Sequence, residues 1–433
     1  MDNPRKLAQL SLIKSEMQDC YTNIEINTVL SRAKLEKSDD ALYTRLYLGV
    51  VEKKLLLDYI IGQYSKTPIE KIDVEALCAI RLGLYQLLFM DKIPDHSAVD
   101  ESVELSPKRS KGFVNAILRS FLRSDKKIDY PTDEWKRLSI ESSIPVSVIN
   151  IFRESYGDEI AKKIVTYNDR EKSLSLRINT LKATKEKLTA QLEEVGFNVT
   201  QSSFGDGIIK CSAPISKIKA LIDSGEVFVQ DESSYACACI VDAQKGERIA
   251  DVCACPGGKT FSMAIGMQNR GEIKAYDLHR SKLSLIEKGA KRLGINIISI
   301  AEQNAKAFLP ENQAAFDRVL CDVPCSGLGV IFNKPDIRYK SIEAISSLPS
   351  IQYDILKNCS QYVRVGGILV YSTCTLCKEE NEKNVLRFLE SNGDFEPMEF
   401  EVGNIKSQKG MFTFFPYKTG TDGFFVAKLI RKK

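Results

Sequence analysis

From about residue 236 onward the chain repeats a strand, turn, helix rhythm, and no other feature restricts its fold as strongly. Apolar stretches at 248–252, 272–276, 296–301, 316–321 and 367–372 read as buried strands, with helices near 259–267, 280–293 and 342–362. This alternation predicts a parallel sheet covered by helices on both faces. In such sheets ligands collect at the carboxyl ends of the strands, so the turns that follow them are where chemistry is to be sought.

The first 128 residues carry a different period. Leu42, Leu46, Val50, Leu55 and Tyr59 recur at helical spacing, as do Leu77, Ile80, Leu84, Leu87 and Leu88. After a break at Lys92-Ile93-Pro94-Asp95-His96-Ser97, Ser97 is expected to cap a short helix through Val103. Phe113, Val114, Ile117, Leu118, Phe121 and Leu122 form a further amphipathic face. About five such helices make a bundle with its own core. The turn Tyr130-Pro131-Thr132-Asp133 marks its edge. Between 134 and 235, helical stretches at 147–156 and 184–194 alternate with apolar runs at 173–178 and 227–230, which reads as a small α/β connector. The organisation is therefore multidomain: an all-α bundle at 1–128, the connector at 134–235, and an α/β domain at 236–433.

No apolar run reaches transmembrane length, and Met1-Asp2-Asn3-Pro4-Arg5 does not open a signal peptide, so a cytoplasmic, membrane-free protein is expected. Twelve cysteines in 433 residues are too few for a disulfide scaffold. Between Glu104 and Lys127 seven basic residues (Lys108, Arg109, Lys111, Arg119, Arg123, Lys126, Lys127) face two acidic ones, Glu104 and Asp125. That excess suits a phosphate backbone as well as it suits a solvated helix face.

Three turns carry the chemistry. The first, Asp251-Val252-Cys253-Ala254-Cys255-Pro256-Gly257-Gly258-Lys259-Thr260, joins a strand to a helix; its glycines allow close backbone approach and the helix aims free N–H groups at the same place. Asp277 closes the second strand, where a carboxylate either accepts both hydroxyls of a ribose or caps the helix that follows. Neither a dinucleotide fingerprint nor a phosphate-binding loop is present, so a nucleoside cofactor without a pyrophosphate fits better. The other two turns are Asp322-Val323-Pro324-Cys325-Ser326-Gly327 and Ser372-Thr373-Cys374-Thr375.

Cys325 and Cys374 both follow strand ends, whereas Cys321, Cys359, Cys253 and Cys255 are expected to be structural. A thiolate adding to carbon 6 of a cytosine makes carbon 5 a nucleophile. An acid must then offset charge on the ring, and Asp322 stands where a protonated or proton-sharing carboxyl would do so. Zinc is a weaker reading: Cys374-Thr375-Leu376-Cys377 has ligand spacing, but no second such pair exists and the only histidines are His96 and His279. No metal is expected.

These turns, in their order and spacing, resemble the cytosine-C5 RNA methyltransferase family related to the Fmu/Sun and NOP2 proteins. Val229-Gln230-Asp231-Glu232-Ser233-Ser234 and Asp422-Gly423-Phe424-Phe425-Val426-Ala427 are similar to it as well. Arg81-Leu82-Gly83-Leu84-Tyr85-Gln86 through Asn115-Ala116-Ile117-Leu118-Arg119 resembles the NusB-type RNA-binding bundle. The resemblance implies a NusB-like bundle, the connector, and a Rossmann-like class I methyltransferase domain using S-adenosylmethionine. It implies 16S rRNA as partner, naked or in an early small-subunit particle, and a monomeric enzyme methylating carbon 5 of one cytosine. Cys374 would be the nucleophile, Cys325 would assist product release, and Asp322 would contact the base. Cys253, Ala254, Cys255, Pro256, Gly257, Gly258, Lys259, Asp277, Asn304 and Asp322 would line the cofactor site. Cys255 and Asn304 replace the alanine and the acidic residue usual in the family, which implies an altered cofactor affinity. DNA cytosine methyltransferases use the Pro-Cys thiol instead, so the division of labour between Cys325 and Cys374 stays open, as do tRNA as substrate and a non-catalytic RNA-binding role.

Overall fold

The computed structural model describes residues 2–18, 21–167, 173–212 and 215–433. The chain forms two compact units, Met1–Thr166 with Ile331–Lys340, and Tyr167–Val330 with Ser341–Lys433. No described helix is long and apolar enough to cross a membrane.

The first unit is helical. Leu46, Val50, Leu57, Ile80, Leu84, Val99, Leu118 and Phe121 form its core, and Leu42, Leu55 and Tyr59 pack at its margin. Arg81 is almost fully buried, but its guanidinium forks onto Asp58 and pairs with Glu16, so its charge is compensated. The helix expected from Ser97 begins earlier, at Asp95, and runs to Leu105. Pro94, at φ −60° and ψ 140°, leads the chain in, and Asp95 places a negative charge against the helix dipole. The helices Glu134–Ser142, Val146–Tyr156 and Asp158–Val165 belong to this unit too. So does the segment Ile331–Lys340. Arg338 is buried there and donates to the carbonyls of Ile331, Glu52 and Ser142, the last two at the carboxyl ends of helices.

In the second unit a four-stranded antiparallel sheet runs in the order Val199–Gln201, Ile208–Cys211, Leu174–Ile178, Val227–Val229. Leu176, Ile178, Leu188, Leu192 and Ile218 form its core with the helices Lys185–Glu194 and Ile215–Asp223. The connector expected over 134–235 is thus divided: its helices up to Val165 lie in the helical unit, and its α/β part begins with the strand Leu174–Ile178. The next helix, Glu232–Val241, buries Tyr235, Ala236 and Cys237 in the core of the larger sheet.

That larger sheet has eight strands, numbered here within it: β1 (Arg248–Asp251), β2 (Glu272–Asp277), β3 (Ile298–Glu302), β4 (Phe316–Asp322), β5 (Val363–Thr373), β6 (Phe395–Pro397), β7 (Met411–Phe414) and β8 (Phe424–Arg431). The order is β6-β8-β5-β4-β1-β2-β3, with β7 also on β8. Strands β1 to β5 pair in parallel. The expectation of an all-parallel sheet fails at β8, which runs antiparallel to β5, β6 and β7. A parallel neighbour needs a long crossover, and the β7–β8 connection, which holds only the four-residue helix Pro416–Thr419, is too short for one. The single helix expected over 342–362 is two, Ile342–Ser346 and Leu348–Ser360, because Pro349 has no N–H to continue the first. Alternate residues of each strand feed two apolar layers: Ile249, Ile273 and Val370 on one face, Ala250, Leu369 and Tyr371 on the other. The carboxyl ends of β1, β2, β4 and β5 present Asp251, Asp277, Asp322 and Thr373-Cys374 along one edge.

Candidate active site

The glycine turn follows β1 and opens the helix Gly258–Gly266. Gly257 has φ +107°, and a Cβ there would stand 2.5 Å from the Phe261 ring, so only glycine serves. The Ala254 N–H donates to Tyr276 O (2.8 Å) and the Cys255 N–H to Asp277 Oδ2 (3.3 Å), which ties the turn to the end of β2. Asp277 Oδ1 also accepts from the His279 N–H at 2.9 Å; His279, not Asp277, is the N-cap of the next helix, so the expected capping role is not the one this carboxylate has. Just beyond β3, the Gln303 N–H donates to Asp277 O (3.0 Å), which brings exposed Asn304 to the same edge. Burial pushes the Cys255 thiol up to about 12, and Cys253 packs half-buried against the sheet; both keep their protons, as structural cysteines do.

Two buried polar atoms around this turn have no hydrogen-bond partner: Asp251 Oδ1 and Gln230 Nε2. Thr260 Oγ1 donates to the other Asp251 oxygen (2.7 Å), and Ser262 Oγ to Gln230 Oε1 (2.6 Å). Burial raises the Asp251 carboxyl to about 7. An orphaned acceptor and an orphaned donor flanking a glycine turn suit a zwitterionic amino-acid group, which S-adenosylmethionine carries at one end. The residues present fit that cofactor.

Asp322, at the end of β4, accepts from Lys259 Nζ at 2.7 Å and from Ser372 Oγ at 2.8 Å. Burial works most strongly against the Lys259 ammonium, but the charge and hydrogen bond of Asp322 together with the nearby Cys237 and Cys374 sulfurs raise the lysine above its ordinary value. The ammonium also lies 4.9 Å from the centre of the Phe424 ring. An ammonium N–H donor thus stands beside the Asp322 carboxyl to which the sequence reading assigned a proton. Sequence reasoning gave Lys259 only to the cofactor turn.

The two thiols meet. Cys325 Sγ and Cys374 Sγ are 3.2 Å apart, both cysteines are half-buried, and no disulfide joins them. The hydrogen bond to Cys374, followed by burial, holds the Cys325 thiol well above its ordinary value. What aligns the two turns is a buried polar network that pattern reading missed. Glu380 accepts from the Ser326 N–H (2.9 Å), the Ser326 hydroxyl and Gln352 Nε2 (2.8 Å). Ser326 Oγ also meets Thr375 Oγ1 at 2.6 Å, and Asn381 binds Thr373 Oγ1 and Thr375 O. The Gly329 N–H donates to Cys374 O (3.0 Å), and a Cβ on Gly329 would fall 1.9 Å from Gly423 O. The Asp422 N–H donates to Asp231 Oδ2 (3.2 Å), so the outlying segments around 229–234 and 422–427 converge on this place. An acidic residue shortly after the Thr-Cys turn was the only local sign of Glu380.

Among the described residues no group of three or more His, Cys, Asp or Glu side chains is spaced to hold a metal, and Cys377 is buried. The basic stretch at 104–127 is largely compensated. Arg109, Lys111, Arg119, Lys126 and Lys127 pair with Asp73, Glu104, Asp100, Asp95 and Asp129. Most of those acids come from outside the stretch, which is why a count along the sequence did not include them.

Comparison with known proteins agrees with this architecture. A family model described as 16S rRNA methyltransferase RsmB/F matches residues 238–430. The NusB family model matches 2–123, and one described as RsmF/B-like, ferredoxin-like domain matches 145–216. The probable ribosomal RNA small subunit methyltransferase B of Bacillus subtilis (strain 168) is 34% identical, covering 99% of this chain and 98% of its own. The ribosomal RNA small subunit methyltransferase B of Escherichia coli (strain K12) is 30% identical over 92% of each. The crystal structure of PH0851 superposes with a TM-score of 0.84 at 25% identity, covering 100% of this chain and 99% of that one. That of NSun6 from Pyrococcus horikoshii with SFG gives a TM-score of 0.61 at 23% identity, over 67% of this chain and 98% of the other.

Proposed function

Because the chain belongs to the RsmB/F family of S-adenosylmethionine-dependent 16S rRNA methyltransferases, we propose that it methylates carbon 5 of one cytosine through a covalent bond from Cys374 to carbon 6. The contact between the two thiols, 3.2 Å apart beside the Lys259–Asp322 pair, supports this reading most directly. The bound cofactor supplies the methyl group on a sulfonium centre.

The residues divide the work as follows. One proton shared by the thiols stays on Cys325, whose hydrogen bond to Cys374 favours the protonated form, and Cys374 attacks as thiolate. Negative charge developing on the ring is met by the Lys259 ammonium, oriented by Asp322 and Ser372. After methyl transfer the carbon 5 proton leaves to solvent and its electron pair closes the ring double bond. Cys374 departs as a thiolate, and the Cys325 S–H stabilises it. Cys253 to Lys259, Asp277 and Asn304 hold the cofactor, with Asp251 and Gln230 at its amino-acid end. The bundle at 1–128 and the connector at 134–235 hold RNA while the domain at 236–433 does the chemistry. The target base must be unstacked to reach a thiol, so an open loop or an incomplete particle is the fitting substrate.

The test is methyl transfer from labelled S-adenosylmethionine to 16S rRNA, naked and in small-subunit particles, followed by mapping of the modified atom. Label on carbon 5 of a single cytosine is expected. Label on a ribose, on a ring nitrogen, or on tRNA alone overturns the proposal.

A further inference from the structure

Among the described residues, the helix Arg280–Leu293 carries exposed cations that stand in no ion pair. On the helix Arg280–Leu293, Leu283, Ile286, Gly289, Ala290 and Leu293 are buried, and helical periodicity turns Arg280, Lys288 and Lys291 together toward solvent. Ser284 and Glu287, the one acidic residue of the helix, lie on the same face, so its charges sum to two positive, and Glu287 is in no ion pair with any of the three cations. Among the described residues none of the three cations is within ion-pair distance of a carboxylate.

Their neighbours differ. Lys182 Nζ is spent on the carbonyls of Ser224 and Arg292, both at 2.8 Å, and Arg292 donates to Ile222 O. Lys185 pairs with Asp206 and Lys187 with Glu226. The basic helix Lys111–Arg123 has Lys111 and Arg119 paired as well. Surface cations without counter-charges repel one another, and an anionic partner relieves that cost. With a rise of about 1.5 Å per residue, Arg280 to Lys291 spans roughly 16 Å, long enough to follow several phosphates of one strand. The helix begins directly after Asp277 and His279, at the strand-end edge where the site lies.

We propose that the face formed by Arg280, Lys288 and Lys291 binds the phosphate backbone of the RNA substrate. This rests on the reading of the chain as an RNA methyltransferase and assigns that activity a surface. The contacts are sequence-independent: they add affinity and leave the choice of cytosine to groups nearer the thiols.

The experiment compares the parent with the triple variant Arg280→Gln/Lys288→Gln/Lys291→Gln and with the charge-neutral control Glu401→Gln/Lys406→Gln, which removes an exposed ion pair of the same unit. Binding to 16S rRNA is measured across a salt series, alongside methyl-transfer kinetics and thermal midpoints. Three released counterions should lower the slope of log K against log salt by about 2, and affinity near 0.1 M salt should fall at least about tenfold. KM for RNA should rise with kcat at saturating RNA and the thermal midpoint unchanged, while the control keeps the parent's slope. An unchanged slope in the triple variant, or an equal loss in the control, overturns the proposal. If the parent binds RNA with this salt dependence but transfers no methyl group, the catalytic reading fails and this surface stands.

Discussion

Cys325 Sγ and Cys374 Sγ, 49 residues apart in sequence, stand 3.2 Å apart with no disulfide between them. Such a pair holds one proton more firmly than two separate thiols would, and on the proposed mechanism one sulfur acts as nucleophile and the other as its hydrogen-bond donor. Cys374→Ala should reduce methyl transfer to background and abolish covalent RNA adducts. Cys325→Ala should accumulate an adduct that survives denaturing electrophoresis. The reverse pattern would exchange the two roles.

Lys259 and Asp322 should be more than an ion pair for stability. Lys259→Met leaves the Asp322 carboxylate with Ser372 alone, a loss of up to about 3 kcal/mol. The double variant Lys259→Met/Asp322→Asn should recover most of that stability and none of the activity. Denaturant unfolding and single-turnover methyl transfer on the same samples separate the two effects. Recovery of activity in the double variant would remove Lys259 from the chemistry.

Asp251 gives stability a pH dependence of unusual sign. Its folded carboxyl is raised to about 7 from an ordinary value of 3.8, chiefly by burial, so the folded state binds this proton more tightly than the unfolded chain. The group's favourable contribution is full below about pH 4, falls as pH rises toward 7, and is gone above that. Asp251→Asn should therefore gain on the parent across this window, by on the order of a few kcal/mol at pH 8. A cofactor ammonium beside Asp251 would stabilise the carboxylate, so saturating S-adenosylmethionine should flatten the parent's slope. Unfolding midpoints from pH 5 to 8, with and without cofactor, measure both effects.

Glu380 holds two turns in register. Glu380→Ala would leave the Ser326 N–H, the Ser326 hydroxyl and the Gln352 amide short of an acceptor in a buried place. Unmet buried groups cost about 1–3 kcal/mol each before relaxation. Stability should drop and kcat should fall while the dissociation constant for S-adenosylmethionine holds. A matching loss of cofactor affinity would mean that the network supports the whole unit rather than the thiols.

Arg338 closes helix ends within the helical unit. Arg338→Ala would leave the carbonyls of Glu52 and Ser142 without this donor, at a cost of roughly 2–4 kcal/mol. Arg338→Lys should restore only part of it, because a single ammonium cannot reproduce a fork. Thermal unfolding of the three proteins is the check; equal midpoints would show that other donors take over.

Much of the fold was legible because its signals are local. The strand and helix at 272–276 and 280–293 fell close to their observed places, since burial on both faces leaves continuous apolar runs and burial on one leaves a period of 3.6. The antiparallel β8 was not legible, because strand direction depends on the path of the chain rather than on side-chain type. The site shows the same division. The turns bearing Asp251, Asp322, Cys325 and Cys374 announced themselves as breaks after strands. Their polar neighbours Glu380, Gln352 and Asn381 did not, because a buried amide or carboxylate looks in sequence like an exposed one. The basic stretch at 104–127 left two readings open for the same reason, its counter-charges arriving from outside the stretch.

The sequence by itself determined the five parallel strands of the larger sheet, close to where they end, and that two cysteines and a glycine turn occupy those ends, because backbone preference and hydrophobic period act over a few residues. Only the tertiary structure decided that the sulfurs touch, that Lys259 carries the proton beside Asp322, and which surface cations stay unpaired. Hydrogen bonds and screened charges are set by separations of a few ångströms between residues far apart along the chain, and no local pattern encodes those distances.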